Sequence, residues 1–157
     1  MTLAEQLVVV ALLGVLGGWS LAASQDQRQR QRVEGVSNEL LAGIQLARAE
    51  AEQKQSACGM SLAEDGWREP LDGSLPACAT ALKSFSESVR LRHSFPDTLR
   101  FSANGLVIDG GVVVLSQQGT PLARCLVMAL PLGLVRIGRY GADPSAAPLA
   151  SRCQAER

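Results

Sequence analysis

Residues 1–6 (MTLAEQ) and the run that follows them, residues 7–23 (LVVVALLGVLGGWSLAA), form an apolar stretch with a single carboxylate near its start. At about 1.5 Å per residue, the run makes a helix of roughly 25 Å, at the short end of what spans a bilayer core. A charge at the membrane centre costs on the order of a few kcal/mol, so Glu5 needs a partner or a function. The stretch therefore predicts a helix built for an apolar environment, with Glu5 as the residue to explain.

Three interpretations of this stretch compete. A secretory signal peptide begins with positive charges, which residues 1–6 lack, although residues 21–23 (LAA) are compatible with a cleavage site. An ordinary membrane anchor explains the apolar run but gains nothing from Glu5. The spacing of Thr2 and Glu5 matches a capping box, in which Thr2 caps the helix and Glu5 accepts a hydrogen bond from a free backbone N–H. In that account Glu5 only stabilises the positive end of the helix.

The start of the chain also carries a family resemblance. Thr2, Leu3, Glu5 and residues 7–14 (LVVVALLG) resemble the mature N-terminus of type IV pilins and type II secretion pseudopilins. The resemblance implies that Thr2, Leu3 and Glu5 act in assembly, and that Glu5 pairs with the N-terminal amine of a neighbouring subunit. An α-amino group has a pKa near ~8 and is mostly cationic at neutral pH, so it can neutralise the carboxylate.

Position 1 departs from that family. Family members usually have Phe there, with an N-methylated amine left after prepilin peptidase removes a leader, whereas this chain has Met1. Met1 is therefore either a processed first residue or an initiator. Processing is the favoured interpretation because it places Glu5 at the family's position, and it makes Met1 the site of cleavage and methylation.

Three glycines interrupt the apolar run, at Gly14, Gly17 and Gly18. Each costs roughly 1 kcal/mol relative to alanine in a helix interior, so the helix unwinds most easily here. In assembled pilins the helix is commonly melted in this neighbourhood. The resemblance therefore implies extended or irregular backbone around residues 14–19 in a filament.

The composition limits the size of the fold and the class of partner. The chain has 157 residues, enough for one core-forming domain beyond the apolar run, and 15 Lys+Arg balance 15 Asp+Glu. A net charge of zero gives no general reason to expect nucleic acid or acidic lipid as the main partner. We expect two regions: residues 1–24 as a hydrophobic transmembrane and filament-core helix, and residues 25–157 as a periplasmic or extracellular globular head.

Helical periodicity resumes after the polar residues 24–32 (SQDQRQRQR). Apolar residues recur at three- and four-residue spacing and predict an amphipathic helix to about Ala57, with one stripe packed on a sheet. The stripe consists of Val33, Val36, Leu40, Ile44, Ala47 and Ala51. If the two helical halves are continuous, the helix is on the order of 80 Å long, far beyond ordinary globular length.

From Cys58 onward the pattern changes to short strands and turns. The predicted strands are residues 58–62, 89–93, 99–101, 106–108, 112–115, 123–130 and 134–139. Residues 131–133 (PLG) form the turn of the last hairpin. A helix followed only by strands predicts an α+β fold, in which a long N-terminal helix packs on an antiparallel sheet.

Within the pilin superfamily, this order is similar to the H-type pseudopilins and the FimT-type minor pilins. The matching residues are residues 41–51 (LAGIQLARAEA), Gly66 with Trp67, residues 101–105 (FSANG) and a closing hairpin that contains Arg136. The resemblance implies a pilin fold and a structural subunit of a filament, with other pilin subunits, prepilin peptidase and the pilus assembly machinery as partners.

Four cysteines in a chain with an export-type start indicate an oxidising compartment and two disulfides. Four cysteines allow three connectivities, and sequence alone does not decide between them. We favour Cys58 with Cys78, which closes an irregular segment, and Cys125 with Cys153, which ties the C-terminal tail to a strand. Closing loops of this size contributes roughly 3 kcal/mol each.

Motifs for catalysis, cofactors or metals do not stand out. His93 is the only histidine and no C-x-x-C occurs, so the sequence predicts no zinc site. No Gly-rich phosphate loop is present, because the Gly-Gly pairs belong to a hairpin and to the apolar run. The chain is therefore expected to be neither an enzyme nor a cofactor-binding protein.

Nucleic-acid binding is the alternative function. Some FimT-type minor pilins bind DNA through a Gly-Arg-x-Arg motif in the final hairpin, and residues 133–136 read GLVR here, so the first arginine is replaced by Leu134. Arg124, Arg136, Arg139 and Tyr140 remain as residues that could hold phosphates and stack a base. The competing interpretation places these arginines on the solvent side of an antiparallel sheet.

The sequence thus predicts a structural subunit that sits in the bacterial inner membrane with its head in the periplasm, and then enters a type IV pilus or a pseudopilus. It leaves open whether the subunit is major or minor. It also leaves open whether the filament serves secretion, motility, adhesion or DNA uptake.

Overall fold

The computed structural model describes residues 3–71, 73–78, 83–85, 88–130 and 132–155, without the side chains of residues 3–5, 7, 9–24 and 83. A single helix, α1 (Leu3–Lys54), precedes every strand. The strands that follow are β1 (Cys58–Ala63), β2 (Gly66–Arg68), β3 (Lys83–Ser84), β4 (Arg90–His93), β5 (Leu99–Phe101), β6 (Gly111–Ser116), β7 (Ala123–Ala129), β8 (Leu134–Tyr140) and β9 (Cys153–Ala155). This order is the α+β arrangement that the sequence predicts.

The helix α1 is continuous over 52 residues, about 78 Å at the usual rise per residue. It ends at Lys54, three residues before the predicted end at Ala57. Gln55 adopts a left-handed conformation with φ of 48°, and Ser56 N–H donates to the Ala51 carbonyl. Such a residue stops a helix, and it went unpredicted because glycine or asparagine usually marks this position.

The strands form two sheets, where the sequence predicts one. The smaller sheet has the order β3-β2-β1-β5 and the larger sheet the order β4-β6-β7-β8-β9, and all pairings between these strands are antiparallel. The chain leaves the larger sheet after β4, and Pro96 in the following loop cannot donate to a sheet ladder. It then joins the smaller sheet at β5.

The predicted strand at residues 106–108 is wrong. Only one isolated bridge, between Phe101 and Val107, joins this segment to a neighbour, and Ser102 N–H donates to the Leu106 carbonyl across a tight turn. The segment therefore forms a loop that folds back on β5. The strand β6 pairs instead with β4 and β7.

The apolar stripe of α1 forms the centre of the head. All six predicted stripe residues are at most 5 % exposed, and α1 packs against β5, β6 and β7. The stripe also includes Gly43, where an added Cβ would lie 2.4 Å from Trp67 Nε1. The helix therefore approaches β2 closely because position 43 has no side chain.

A second, smaller core covers the opposite face of the larger sheet. It contains Val112, Val114, Ala123, Cys125, Tyr140 and Cys153. The C-terminal tail crosses this face and returns to the sheet as β9 beside β8. The outer face of the larger sheet is therefore partly covered by the tail.

Both disulfides join the cysteines that the sequence analysis favoured. The S–S distances are 2.12 Å for Cys58–Cys78 and 2.07 Å for Cys125–Cys153. The first bridge holds the irregular segment after β2 against β1, and the second fixes the tail to β7. Each bridge therefore fastens a part of the chain that is not itself a strand, the segment before Cys78 or the tail before Cys153, to a strand.

Candidate functional site

The N-terminal assembly residues fall at or beyond the edge of what the structure describes. Met1 and Thr2 lie outside the described residues, and the side chains of Leu3 and Glu5 lie outside the described side chains. The pairing of Glu5 and the processing of Met1 therefore stay predictions. Val8, whose side chain is described, is 59 % exposed.

The backbone of α1 is helical through Gly14, Gly17 and Gly18 in the single chain. Melting of this segment is predicted for an assembled filament, so it also stays a prediction. Within the described residues, no helix combines the length and the apolar character needed to cross a membrane. The side chains of the apolar run belong almost entirely to the part that is not described.

The final hairpin divides the four candidate DNA-contact residues between two faces. Arg124 lies opposite Arg139, and Val127 lies opposite Arg136, in the pairing of β7 with β8. Side chains alternate between the faces of a strand, so Arg124 and Arg139 share the α1 side, whereas Arg136 and Tyr140 share the outer side. The four residues therefore do not form one surface. The sequence spacing already contained this signal, because positions 136 and 139 differ by an odd number.

Arg124 is an internal anchor of the head. It is 9 % exposed, its Nε donates to Glu34 Oε1 at 2.8 Å, and its Nη2 donates to the same oxygen. This ion pair joins the first buried turn of α1 to the beginning of β7. The guanidinium would have to leave Glu34 in order to bind a phosphate.

Tyr140 is also committed to the fold. Its side chain is 6 % exposed within the second core, and its hydroxyl accepts a hydrogen bond from Leu149 N–H at 3.2 Å. A ring in this position pins the C-terminal tail and has no open face for a base. Of the four residues, Arg136 and Arg139 are the exposed ones, on opposite faces of β8.

The direction of α1 gives the head two ends. At the end nearer the apolar run, Glu34 binds Arg124 and the turn between β6 and β7 lies against Gln29. At the other end, Arg48 Nη1 donates to the carbonyl of Leu132 at 2.9 Å. The 14 residues from Glu34 to Arg48 span about 21 Å of helix, so β7 runs alongside α1. We call these the proximal end and the distal end.

An open cleft of about 950 Å³ lies at the proximal end, between β4, the β6–β7 turn and the tail. Its lining includes Glu64, Asp65, Arg90, Gln118, Leu122 and Pro144. Arg68, a hydrogen-bonded partner outside the cleft, holds the pKa of Asp65 below its ordinary value. The cleft thus combines apolar walls with charges of both signs, and the structure shows no catalytic constellation in it.

The distal end is braced by a second ion pair. Arg100 Nε and Nη2 donate to the two carboxylate oxygens of Asp109, both at 2.8 Å. These hydrogen bonds hold the pKa of Asp109 below its ordinary value. The bidentate pair fixes the loop between β5 and β6, which runs across the distal end.

A metal site finds no support in the described residues. Among them, no group of three or more His, Cys, Asp or Glu side chains could hold a metal ion. His93 lies in β4 with its ring 6.2 Å from that of Phe95.

Sequence reasoning missed the residues that flank the helical stripe. Glu34 and Arg48 do not belong to the predicted apolar stripe, yet Glu34 binds Arg124 in β7 and Arg48 binds the turn between β7 and β8. The available signal was their position, since each directly follows a stripe residue, Val33 or Ala47. Long side chains at the border of a stripe can keep their polar ends on neighbouring strands.

Comparison with known proteins gives one match. The profile of the family described as "Type II transport protein GspH" matches residues 36–131. This range runs from the buried half of α1 to the turn of the final hairpin. No curated protein and no solved structure matches the chain significantly.

Proposed function

Because this chain belongs to the family of the type II transport protein GspH, a pseudopilin family, we propose that it is a structural subunit of a type II secretion pseudopilus. The observation that carries the proposal is the helix α1, which is 52 residues long, while its described buried positions begin only at Val33. A helix of this length is expected when one half belongs to a bundle and the other to a globular head.

In this proposal residues 1–24 and residues 25–157 have separate roles. The first region holds the chain in the inner membrane before assembly, with the head in the periplasm. During assembly, residues 7–23 pack against the same segment of neighbouring subunits, and burial of apolar surface contributes on the order of 25 cal/mol per Å². The segment at Gly14, Gly17 and Gly18 unwinds in the filament.

Glu5 sets the register of the assembled subunits. A carboxylate in an apolar bundle is unfavourable unless a cation neutralises it, and the N-terminal amine of a neighbour supplies that charge. Met1 is in this account the first residue that prepilin peptidase leaves and methylates. The head contributes a rigid body whose helix, sheets and tail are held by two disulfides and by the ion pairs Arg100–Asp109 and Arg124–Glu34.

Fractionation of filaments tests the proposal. The full chain, produced together with the complete secretion machinery, is expected in the pellet of sheared filaments. In cells that lack the assembly machinery, the same chain is expected in the membrane fraction alone. A chain that stays in the membrane fraction of competent cells would contradict a structural role in the filament.

The alternative of a DNA-binding minor pilin is tested by a salt series. We expect the full chain in detergent to show no salt-dependent binding to duplex DNA, since Arg124 and Tyr140 are engaged inside the head. For a DNA binder, a plot of the logarithm of the binding constant against the logarithm of the salt concentration has a slope of roughly −0.9 for each phosphate contact. Binding that disappears in the variant Arg136→Ala/Arg139→Ala, but not in Arg28→Ala, would favour the DNA-binding function.

A further inference from the structure

Four arginines at the proximal end of the head have exposed side chains. Arg28 and Arg32 lie one turn apart on α1. Arg90 begins β4, opposite the last residue of β6, and Arg152 lies directly before β9. Within the described part of the chain, none of these four side chains makes a hydrogen bond or an ion pair. Unpaired positive charges therefore collect at the end of the head nearer the apolar run.

Most described carboxylates of the proximal end are already engaged. Three of them are in ion pairs, namely Asp26 with Arg30, Glu34 with Arg124 and Asp65 with Arg68. Hydrogen bonds from Ser145, and to a smaller extent the charge of Arg92, hold the pKa of Asp143 below its ordinary value. Among the described residues of this end, Glu64 alone remains without a partner, against four arginines.

The continuous helix fixes how far these charges lie from the apolar run. Arg28 and Arg32 follow Ala23 by five and nine residues, which is about 7.5 Å and 13.5 Å along α1. The headgroup region adds roughly 5–7.5 Å to each side of the hydrocarbon core of a bilayer. Side chains of a helix lean toward its N-terminus, and a long arginine carries its charge to the interface. Both guanidinium groups are therefore within reach of the headgroups.

The rest of the proximal end lies at the same level as this part of α1. A Cβ added to Gly119 would lie 2.9 Å from Gln29 Nε2, so the β6–β7 turn lies beside the helix there. Arg90 is in register with Ser116, the residue at which β6 reaches this turn. Arg152 lies where the tail returns to the end of β8. Helix, sheet edge and tail thus each bring positive charge to one side of the head.

The distal end has a different character. Its arginines Arg48 and Arg100 each engage a carboxylate, and its exposed side chains include Leu106 and Leu132, which are 39 % and 53 % exposed. Arg136, in the half of β8 nearer this end, is exposed and has no partner among the described residues. Because the whole chain has no net charge, the excess of unpaired arginines at the proximal end is a property of the fold.

We propose that, before assembly, the proximal end of the head rests on acidic phospholipid headgroups, with Arg28, Arg32 and Arg90 as the main phosphate contacts. The proposal rests on the proposed function, because that function places residues 1–24 in the bilayer. The helix then holds the arginines about one screening length of ~8 Å from the surface, whereas nothing comparable brings a nucleic acid or an acidic protein there. Each basic residue near an acidic leaflet strengthens the attraction about fivefold. The contact keeps the head in one orientation until the subunit leaves the membrane.

Energy transfer to labelled lipids tests the contact in the full chain. All four native cysteines are in disulfides, so Gln118→Cys supplies a single thiol for a donor dye at the proximal end. The chain is inserted into vesicles of equal parts phosphatidylcholine and phosphatidylglycerol, with an acceptor dye on the acyl chains of one lipid or the other. We expect stronger transfer to phosphatidylglycerol at low salt. At about 1 M salt, where the screening length is ~3 Å, we expect equal transfer to both lipids.

Neutral substitutions identify the residues that hold the lipid. Arg28→Gln/Arg32→Gln/Arg90→Gln should remove the preference for phosphatidylglycerol, which falls about fivefold for each arginine lost. Arg136→Gln is the matched control, because it removes an exposed arginine from the other end of the head, and it should keep the preference. Since all four side chains are exposed, the variants should unfold at the same urea concentration as the unsubstituted chain.

Equal transfer to both lipids at low salt would overturn the lipid contact. So would a preference that survives at high salt or in the triple variant, because it would not depend on the charge of the arginines. If the preference is absent and the triple variant also fails to enter filaments, the arginines bind a neighbouring subunit instead of lipid. In all these cases the proposed function stands as long as the unsubstituted chain enters filaments. Failure of that chain to enter filaments, with the lipid preference intact, would overturn the proposed function alone.

Discussion

The substitution Glu5→Ala is expected to abolish entry of the chain into filaments while leaving the membrane-bound subunit folded. Without the carboxylate, the N-terminal amine of a neighbour is buried in an apolar bundle without a counter-charge. Truncating one partner of a buried ion pair typically costs ~3–5 kcal/mol, which reduces incorporation by about two to four orders of magnitude. The measurement is the amount of chain in sheared filaments relative to the membrane fraction.

Two further variants isolate the role of the charge. Glu5→Gln keeps the size and the hydrogen-bonding capacity of the side chain, and we expect it to fail as completely as Glu5→Ala. Gln6→Ala alters the next residue, whose side chain is exposed in the single chain, and should assemble normally. Filaments formed by Glu5→Ala at the normal yield would show that the carboxylate only caps the helix.

The same substitution at two glycines of α1 is expected to change stability in opposite directions. Gly43→Leu should lower the free energy of unfolding by about 3 kcal/mol or more, because even the first added carbon would lie 2.4 Å from Trp67 Nε1. Gly35→Leu should raise it by about 0.5–1 kcal/mol, because nothing lies within 4 Å of an added Cβ and leucine favours the helix. A loss of this size is a large share of the ~5–15 kcal/mol typical of a domain.

Urea unfolding of the full chain in detergent, monitored by tryptophan fluorescence, gives the free energy of unfolding of both variants. Trp67 is 3 % exposed and reports on the contact itself. In the Gly43→Leu variant, we expect a lower urea midpoint and an altered Trp67 emission in the folded state. Equal effects of the two substitutions would mean that helix propensity alone determines the change in the free energy of unfolding. In that case α1 does not pack on the head through the Gly43–Trp67 contact.

Local patterns predicted most of the head. The stripe from Val33 to Ala51 is buried as its spacing indicates, and the final hairpin has the strands and the turn that residues 123–139 predict. The pairings Cys58–Cys78 and Cys125–Cys153 were also favoured from the sequence, because the first closes an irregular segment and the second ties the tail to a strand. The stripe and the hairpin depend on residues that are near one another in the chain.

Predictions failed where distant segments meet. The chain forms two sheets instead of one, and residues 106–108 fold back on β5 as a loop instead of forming a strand. The four candidate DNA-contact residues were considered as one basic cluster, yet the pleat of β7 and β8 places them on two faces, and Glu34 engages Arg124. Composition and motif spacing do not show which side chain of another element pairs with a given charged residue.

The sequence alone determined the two helical halves, the apolar character of the first half with its single carboxylate, the α+β order and the resemblance to pseudopilins, because helical period and burial pattern are local properties. Only the tertiary structure decided which arginines are interior anchors and which surface remains apolar. Leu106 and Leu132 are 26 positions apart, and they share one surface because Gly133 allows the turn to pack on Val107. That contact depends on the packing of two loops, which no single stretch of the chain specifies.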